Sequence, residues 1–155
     1  MEEIVLAYKW ERFHPLFLSI IFVILSFFFV RNLDKNSLVI LKDVLSATIN
    51  YSAISVGFLA TALTIFYALA EKQIVQGLQQ ITRADGRSAY DHILQYMVNS
   101  ITVSLALTFY CIFAIAFTGT TTLYLQLMTL VFIFLLVYSM LTLHRVIRIL
   151  ANLLR

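Results

Sequence analysis

Three long stretches of this 155-residue chain carry no formal charge: residues 13–30, 44–70 and 92–143. An amphipathic helix packed on a soluble core shows polar or charged groups along one whole face, and none of these stretches does. About 20 apolar residues in a helix cross the roughly 30 Å of bilayer hydrocarbon. The first two stretches therefore fit one crossing each, and the third fits two. Composition points the same way: 61% of residues are apolar and 12% charged, against about 45–50% and about 25% in ordinary soluble domains. The expected fold is all-α: a polytopic membrane protein, one membrane domain over residues 1–155, with four transmembrane helices.

Local signals set the expected boundaries. Residues 1–12 read as a short amphipathic helix offering Ile4, Val5, Leu6, Tyr8 and Trp10 to an interface. Its acidic start, and the lack of a small-residue cleavage site after "FLSIIFVILSFFFV", argue against a cleaved signal peptide. Pro15 marks a fresh start, because the residue before a proline is pushed out of helical geometry, so span one is placed at 15–33. "RNLDKNS" is a polar turn, and residues 38–45 are expected along the membrane surface, with Leu38, Leu41 and Leu45 on one face. Span two follows at 46–70.

Beyond it, Ile74, Leu78 and Ile81 continue an apolar face, so 71–93 reads as a cytoplasmic helical hairpin broken at "RADGRS". Ser88 to Asp91 has the form of a capping box, and span three is placed at 94–117, continuous with a helix from Ser88. After the uncharged turn "TGTT", span four occupies 122–143. A C-terminal extension, 144–155, carries Val146, Ile149, Leu150 and Leu153 on one face and Arg145, Arg148, Asn152 and Arg155 on the other.

With both termini on one side, that side holds Lys9, Arg12, Lys72, Arg83, Arg87, Arg145, Arg148 and Arg155, and the other holds Arg31, Lys35 and Lys42. The excess marks the first side as cytoplasmic. Tyr51 and Tyr124 are then expected in the outer aromatic belt. Trp10, Tyr67, Tyr96 and Tyr138 are expected near the inner one.

Small and hydroxyl residues are threaded through the spans. Asn50, Ala53, Gly57, Ala60, Thr61, Thr64 and Ala68 recur at helical spacing in span two, and Ser100, Ser104, Thr108 and Cys111 in span three. Lipid tails do not drive helices together as water does, so close packing and interhelical hydrogen bonds do more of it, and both use small residues. The stripes are therefore expected either to form the seam between helices two and three, or between subunits, or to line a water-filled path in an oligomer with Asn50 at its outer mouth. Apart from Arg31 at the end of span one, no Asp, Glu, Lys or Arg falls inside the expected spans, which argues against a proton-coupled transporter or a voltage sensor.

Catalytic chemistry finds little support. His14, His92 and His144 fall at the inner ends of three spans without ligand spacing, so neither a metal nor another cofactor is expected. "RSAYDH" fits a loose R-x4-H nuclease pattern but reads more simply as the capped entry to span three. No GxSxG occurs, and Cys111, the single cysteine, allows no internal disulfide. The Arg83, Arg87, Arg145, Arg148 and Arg155 set suits anionic headgroups or a docked cytoplasmic protein. Direct nucleic-acid binding calls for a denser patch. The chain does not read as an enzyme.

The layout of a first span, "SATINYSAISVGFLATALTIFYALAEKQ", a polar hairpin and two closely linked spans resembles the small four-span inner-membrane proteins of bacterial anti-phage systems. The likeness is to the lambda RexB kind and, less closely, to the KwaA kind of the Kiwa system. It implies a bacterial inner-membrane protein that breaches or depolarises the membrane on infection. The expectation is a homo-oligomer in the lipid bilayer, responding to a cytoplasmic trigger or partner. The alternative is a non-conducting anchor or assembly subunit.

Overall fold

The computed structural model describes residues 2–31, 38–68, 76–77, 80, 86, 88–116 and 122–153, and among them every regular element is helical. Four helices account for almost all of it: α1 (Glu2–Val30), α2 (Leu38–Ala68), α3 (Ala89–Ala116) and α4 (Thr122–Leu153). Each contains a segment long and apolar enough to cross a membrane: Phe13–Val30, Ile40–Ala68, Ala89–Ala116 and Leu123–Ala151.

One boundary differs from the sequence reading. The N-terminal segment from Glu2 and span one as far as Val30 are a single helix, with Pro15 inside it. Pro15 and Ser19 are both buried, one turn apart, and the Ser19 hydroxyl donates to the Pro15 carbonyl at 2.8 Å. Prolines are tolerated in membrane helices where side-chain hydroxyls and neighbouring helices satisfy the local backbone. Residues 38–45 are the first turns of α2, continuous with span two, and carry Lys42 and Asp43, both exposed. The apolar face of residues 1–12, most of the hairpin at 71–87, the turn at 118–121 and Arg155 lie outside the described side chains.

α3 starts where its cap demands. The Ser88 hydroxyl accepts from the Asp91 backbone N–H at 3.1 Å and donates to Asp91 Oδ2 at 2.7 Å. Gly86, just before it, has φ +77°, a left-handed turn that glycine takes without strain.

The helices are arranged as a row, with α2 on α3, α3 on α4 and α4 on α1. α1 meets α4 through Pro15, Ser19 and Val30, all buried, while Phe28 and Phe29 on its other side are 71% and 81% exposed. Two apolar clusters lie toward opposite ends of the α2–α3–α4 packing. One gathers Leu59, Phe66, Tyr90, Ile93, Met97 and Val146, with the Phe66 and Tyr90 rings stacked at 5.4 Å. The other gathers Leu45, Leu107, Cys111, Ala114 and Phe132. Burial is thus inverted relative to a water-soluble domain: Ile54, Phe109 and Leu123 are more than two-thirds exposed, while Ser19, Ser52, Ser100, Ser104 and Ser139 are fully buried. Large contiguous apolar surface of this kind marks contact with lipid or with another protein.

Ser88→Ala removes the N-cap of α3 and is expected to cost about 1 kcal/mol locally. Amide exchange should accelerate over residues 89–92 and stay unchanged at residues 100–104. Acceleration along the whole helix would contradict this local role.

Candidate functional site

Serine sits buried between the packed helices. On the α3–α4 seam the Ser104 and Ser139 hydroxyls lie 3.2 Å apart, and Ser100 donates to Thr142 Oγ1 at 3.5 Å. Thr142 in turn donates to the Ser139 carbonyl at 2.9 Å. On the α2–α3 seam, Leu59 clusters with Met97 and Leu45 with Cys111. In an antiparallel pair that register brings Ser52 level with Ser104. On α1, counting down from the contact between Gln126 Nε2 and the Arg31 carbonyl (3.0 Å) brings Ser19 level with Tyr138, the chain neighbour of Ser139. All four helices thus contribute a fully buried serine at one depth, between the two apolar clusters. A serine at the contact lets backbones approach, and hydroxyls bond across the gap at an average of about 0.6 kcal/mol each.

Ser52 is the exception. Its Oγ is buried without a hydrogen-bond partner, as is the Tyr51 hydroxyl. The neighbouring hydroxyls are satisfied within their own helix: Thr48 donates to the Val44 carbonyl and Ser55 to the Tyr51 carbonyl, both at 2.8 Å.

The span-two and span-three stripes occupy different places. Ser100 and Ser104 are buried against α4, and Thr108 is half-buried and donates to the Ser104 carbonyl at 3.0 Å. Asn50, Ala53, Gly57, Ala60, Thr61, Thr64 and Ala68 are all exposed. A common seam between helices two and three, one of the expectations, is therefore ruled out for this protomer. α2 meets α3 through Leu45, Thr48, Ser52, Ser55, Leu59 and Phe66 instead. A Cβ added at Gly57 would meet nothing within 4 Å, so no neighbour within the protomer requires a glycine there. Thr61 and Thr64 donate to the Gly57 and Ala60 carbonyls, each at 2.9 Å.

Asn50 lies about three turns into α2 from Leu38. The α2–α3 register puts it level with Ala106, about 15 Å along α3 from Tyr96 in one direction and from Ala116 in the other, at 1.5 Å per residue. Tyr51, its chain neighbour, lies at the same level. Asn50 makes no side-chain hydrogen bond among the described residues. An unpaired amide in hydrocarbon costs about 4–8 kcal/mol relative to water. The outward carboxamide of Asn99, by contrast, lies within a turn of the Arg145 level.

Of the arginine set, Arg83, Arg87 and Arg155 lie outside the described residues, and Arg148 is exposed. Arg145 is committed to Tyr96: its guanidinium carbon lies 3.9 Å from the ring centroid and a terminal nitrogen donates to the phenol oxygen at 2.9 Å. This double contact fastens α4 to α3 at one end of the row. Tyr110, whose hydroxyl donates to the Met128 carbonyl at 2.7 Å, fastens them near the other. His92 is buried and His14 and His144 are exposed. Among the described residues no three His, Cys, Asp or Glu side chains gather as a metal site.

The sequence reading missed Ser19, Ser52, Ser55, Ser139 and Thr142. The recoverable signal was the i, i+3, i+7 run of Ser52, Ser55 and Leu59, which marks the face of α2 opposite the stripe that was chosen. The fold defines a multi-pass, four-helix membrane protein. Comparisons with protein families, with curated proteins and with solved structures find no match to the chain.

Ser104→Leu is expected to wedge the α3–α4 seam apart and cost about 1–3 kcal/mol. Ser52→Ala, which deletes an unpaired buried hydroxyl, is expected to be neutral or stabilising. Reversible unfolding in mixed micelles measures both, and a loss at Ser52→Ala equal to that at Ser104→Leu would contradict the assignment.

Proposed function

We propose that this chain is an oligomeric protein of the bacterial inner membrane, with both termini cytoplasmic. On a trigger it makes the membrane leaky to ions, as part of anti-phage defence. The observation that carries this reading is the uncovered face of α2. It runs from Asn50 at mid-span through Ala53 and Gly57 to Thr61 and Thr64, and lipid tails suit it poorly. In an oligomer it would face either a neighbouring subunit or water. The Thr61 and Thr64 protons are used on their own helix, which leaves hydroxyl oxygens as acceptors along the face. Such a lining favours cations over anions. A cytoplasmic trigger or partner would engage the hairpin at 71–93 and the arginine face of α4.

A second reading, a non-conducting anchor or assembly subunit, draws on the same two bonds. A threonine whose proton is satisfied by its own helix is tolerated against lipid or protein and does not require water.

Expression together with the natural trigger, followed with a membrane-potential dye, tests the first reading. Depolarisation is expected, and Thr61→Leu with Thr64→Leu is expected to reduce the ion flux at least tenfold while leaving the protein in the membrane. Normal potential and growth with the trigger present would overturn it.

A further inference from the structure

The uncovered face of α2 carries two unmet polar demands at different depths. Asn50 lies at mid-span, exposed and without a hydrogen-bond partner among the described residues. Tyr96 and Ala116, toward the two ends of α3, are each about 15 Å away along the helix, beyond the reach of a side chain with two rotatable bonds, and lipid tails offer neither donor nor acceptor. Two turns toward the N-terminus, Lys42 and Asp43 flank the same face, both exposed and without an ion pair among the described residues. As chain neighbours they diverge by about 100° around the helix, so they do not face each other.

A second copy of the same helix meets both demands. A carboxamide holds donors and an acceptor in one planar group. A two-fold axis beside Asn50 lets each copy donate to the other, as isologous contacts require. The same axis brings Lys42 of one copy beside Asp43 of the other, so the charges are self-complementary across it. Between Asn50 and the end of α2 the face is uncharged, and Ala53, Gly57 and Thr61 follow at four-residue intervals. Small residues at that interval let two helix backbones cross in close contact, and the open space at Gly57 is available for this. Both copies insert in the same sense, so the two α2 helices run parallel.

We infer that two copies of this chain pack α2 against α2 in a symmetric parallel seam, closed by Asn50 against Asn50 at mid-span and by Lys42 against Asp43 at one end. The inference rests on the oligomeric reading above and gives it a resting state: the face that would conduct is sealed by its own twin until the seam parts.

Single cysteines in a Cys111→Ala background, oxidised in native membranes, test the seam. Ala53→Cys and Gly57→Cys are expected to give covalent dimers, and Val56→Cys and Phe58→Cys, each turned about 100° from Gly57 around the helix, few. Adding Asn50→Leu to Ala53→Cys is expected to cut the dimer at least tenfold, with Asn50→Gln restoring part of it. Lys42→Asp and Asp43→Lys are each expected to weaken dimerisation when expressed alone and to restore it when expressed together. Equal cross-linking at all four positions would overturn the seam. So would no dimer at Ala53 and Gly57, or a yield indifferent to Asn50→Leu; a different protein's helix or water would then cover the face. Membrane potential in the same cells separates the two proposals. Dimers that form while flux stays absent in parallel, unoxidised cells given the trigger refute conduction alone. Flux that persists without any dimer refutes the seam alone.

Discussion

In hydrocarbon a polar group has only the protein to bond with, and this constraint organises the molecule. The helices satisfy their own backbones. Most hydroxyls then bond to a carbonyl one turn back, as Ser19, Thr48, Ser55, Thr61, Thr64, Thr102, Thr108 and Thr129 do. The hydroxyls that reach across instead, Ser100 to Thr142, Ser104 to Ser139 and Tyr110 to the Met128 carbonyl, all lie on the α3–α4 seam. The polar groups left over at mid-depth are equally informative: Ser52 and Tyr51 on the inward side of α2, and Asn50 on the outward side. α2 is thus the helix whose packing the protomer completes least.

Close packing in such a protein comes from what is small. The serine level separates two apolar clusters and lets neighbouring helices meet, while the bulk of the phenylalanines faces outward. α1 shows the division within one helix, with Ser19 buried and Phe28 and Phe29 turned away. Longer side chains fasten the row near its ends, through Arg145 to Tyr96 and Gln126 to the Arg31 carbonyl. Directed contacts near the ends and contact by size in the middle suit an environment where hydrophobicity alone gives no preference between a leucine of the protein and a lipid tail.

Much of this architecture was legible in the sequence, because missing charges and helix length report directly on the bilayer. The cap at Ser88 was legible too, since its geometry is local. What failed was anything that depends on which face of a helix meets which neighbour. Two stripes at helical spacing looked alike in the text, yet Ser100 and Ser104 went inward and Asn50, Gly57 and Thr61 went outward. Small residues serve a seam within a protomer and a seam between protomers equally well, so spacing alone cannot assign them. Pro15 misled for a related reason. A soluble-protein rule breaks the helix before it, whereas a membrane helix carries a proline where hydroxyls and neighbouring helices satisfy the local backbone.

The central claim is that four rods with lipid-facing side chains sit in a bilayer and are held by small residues and hydroxyls. Extraction of native membranes tests it most directly. The chain is expected to stay in the pellet through alkaline carbonate and to enter solution only with detergent. Recovery of a monodisperse, folded species in detergent-free buffer would contradict it.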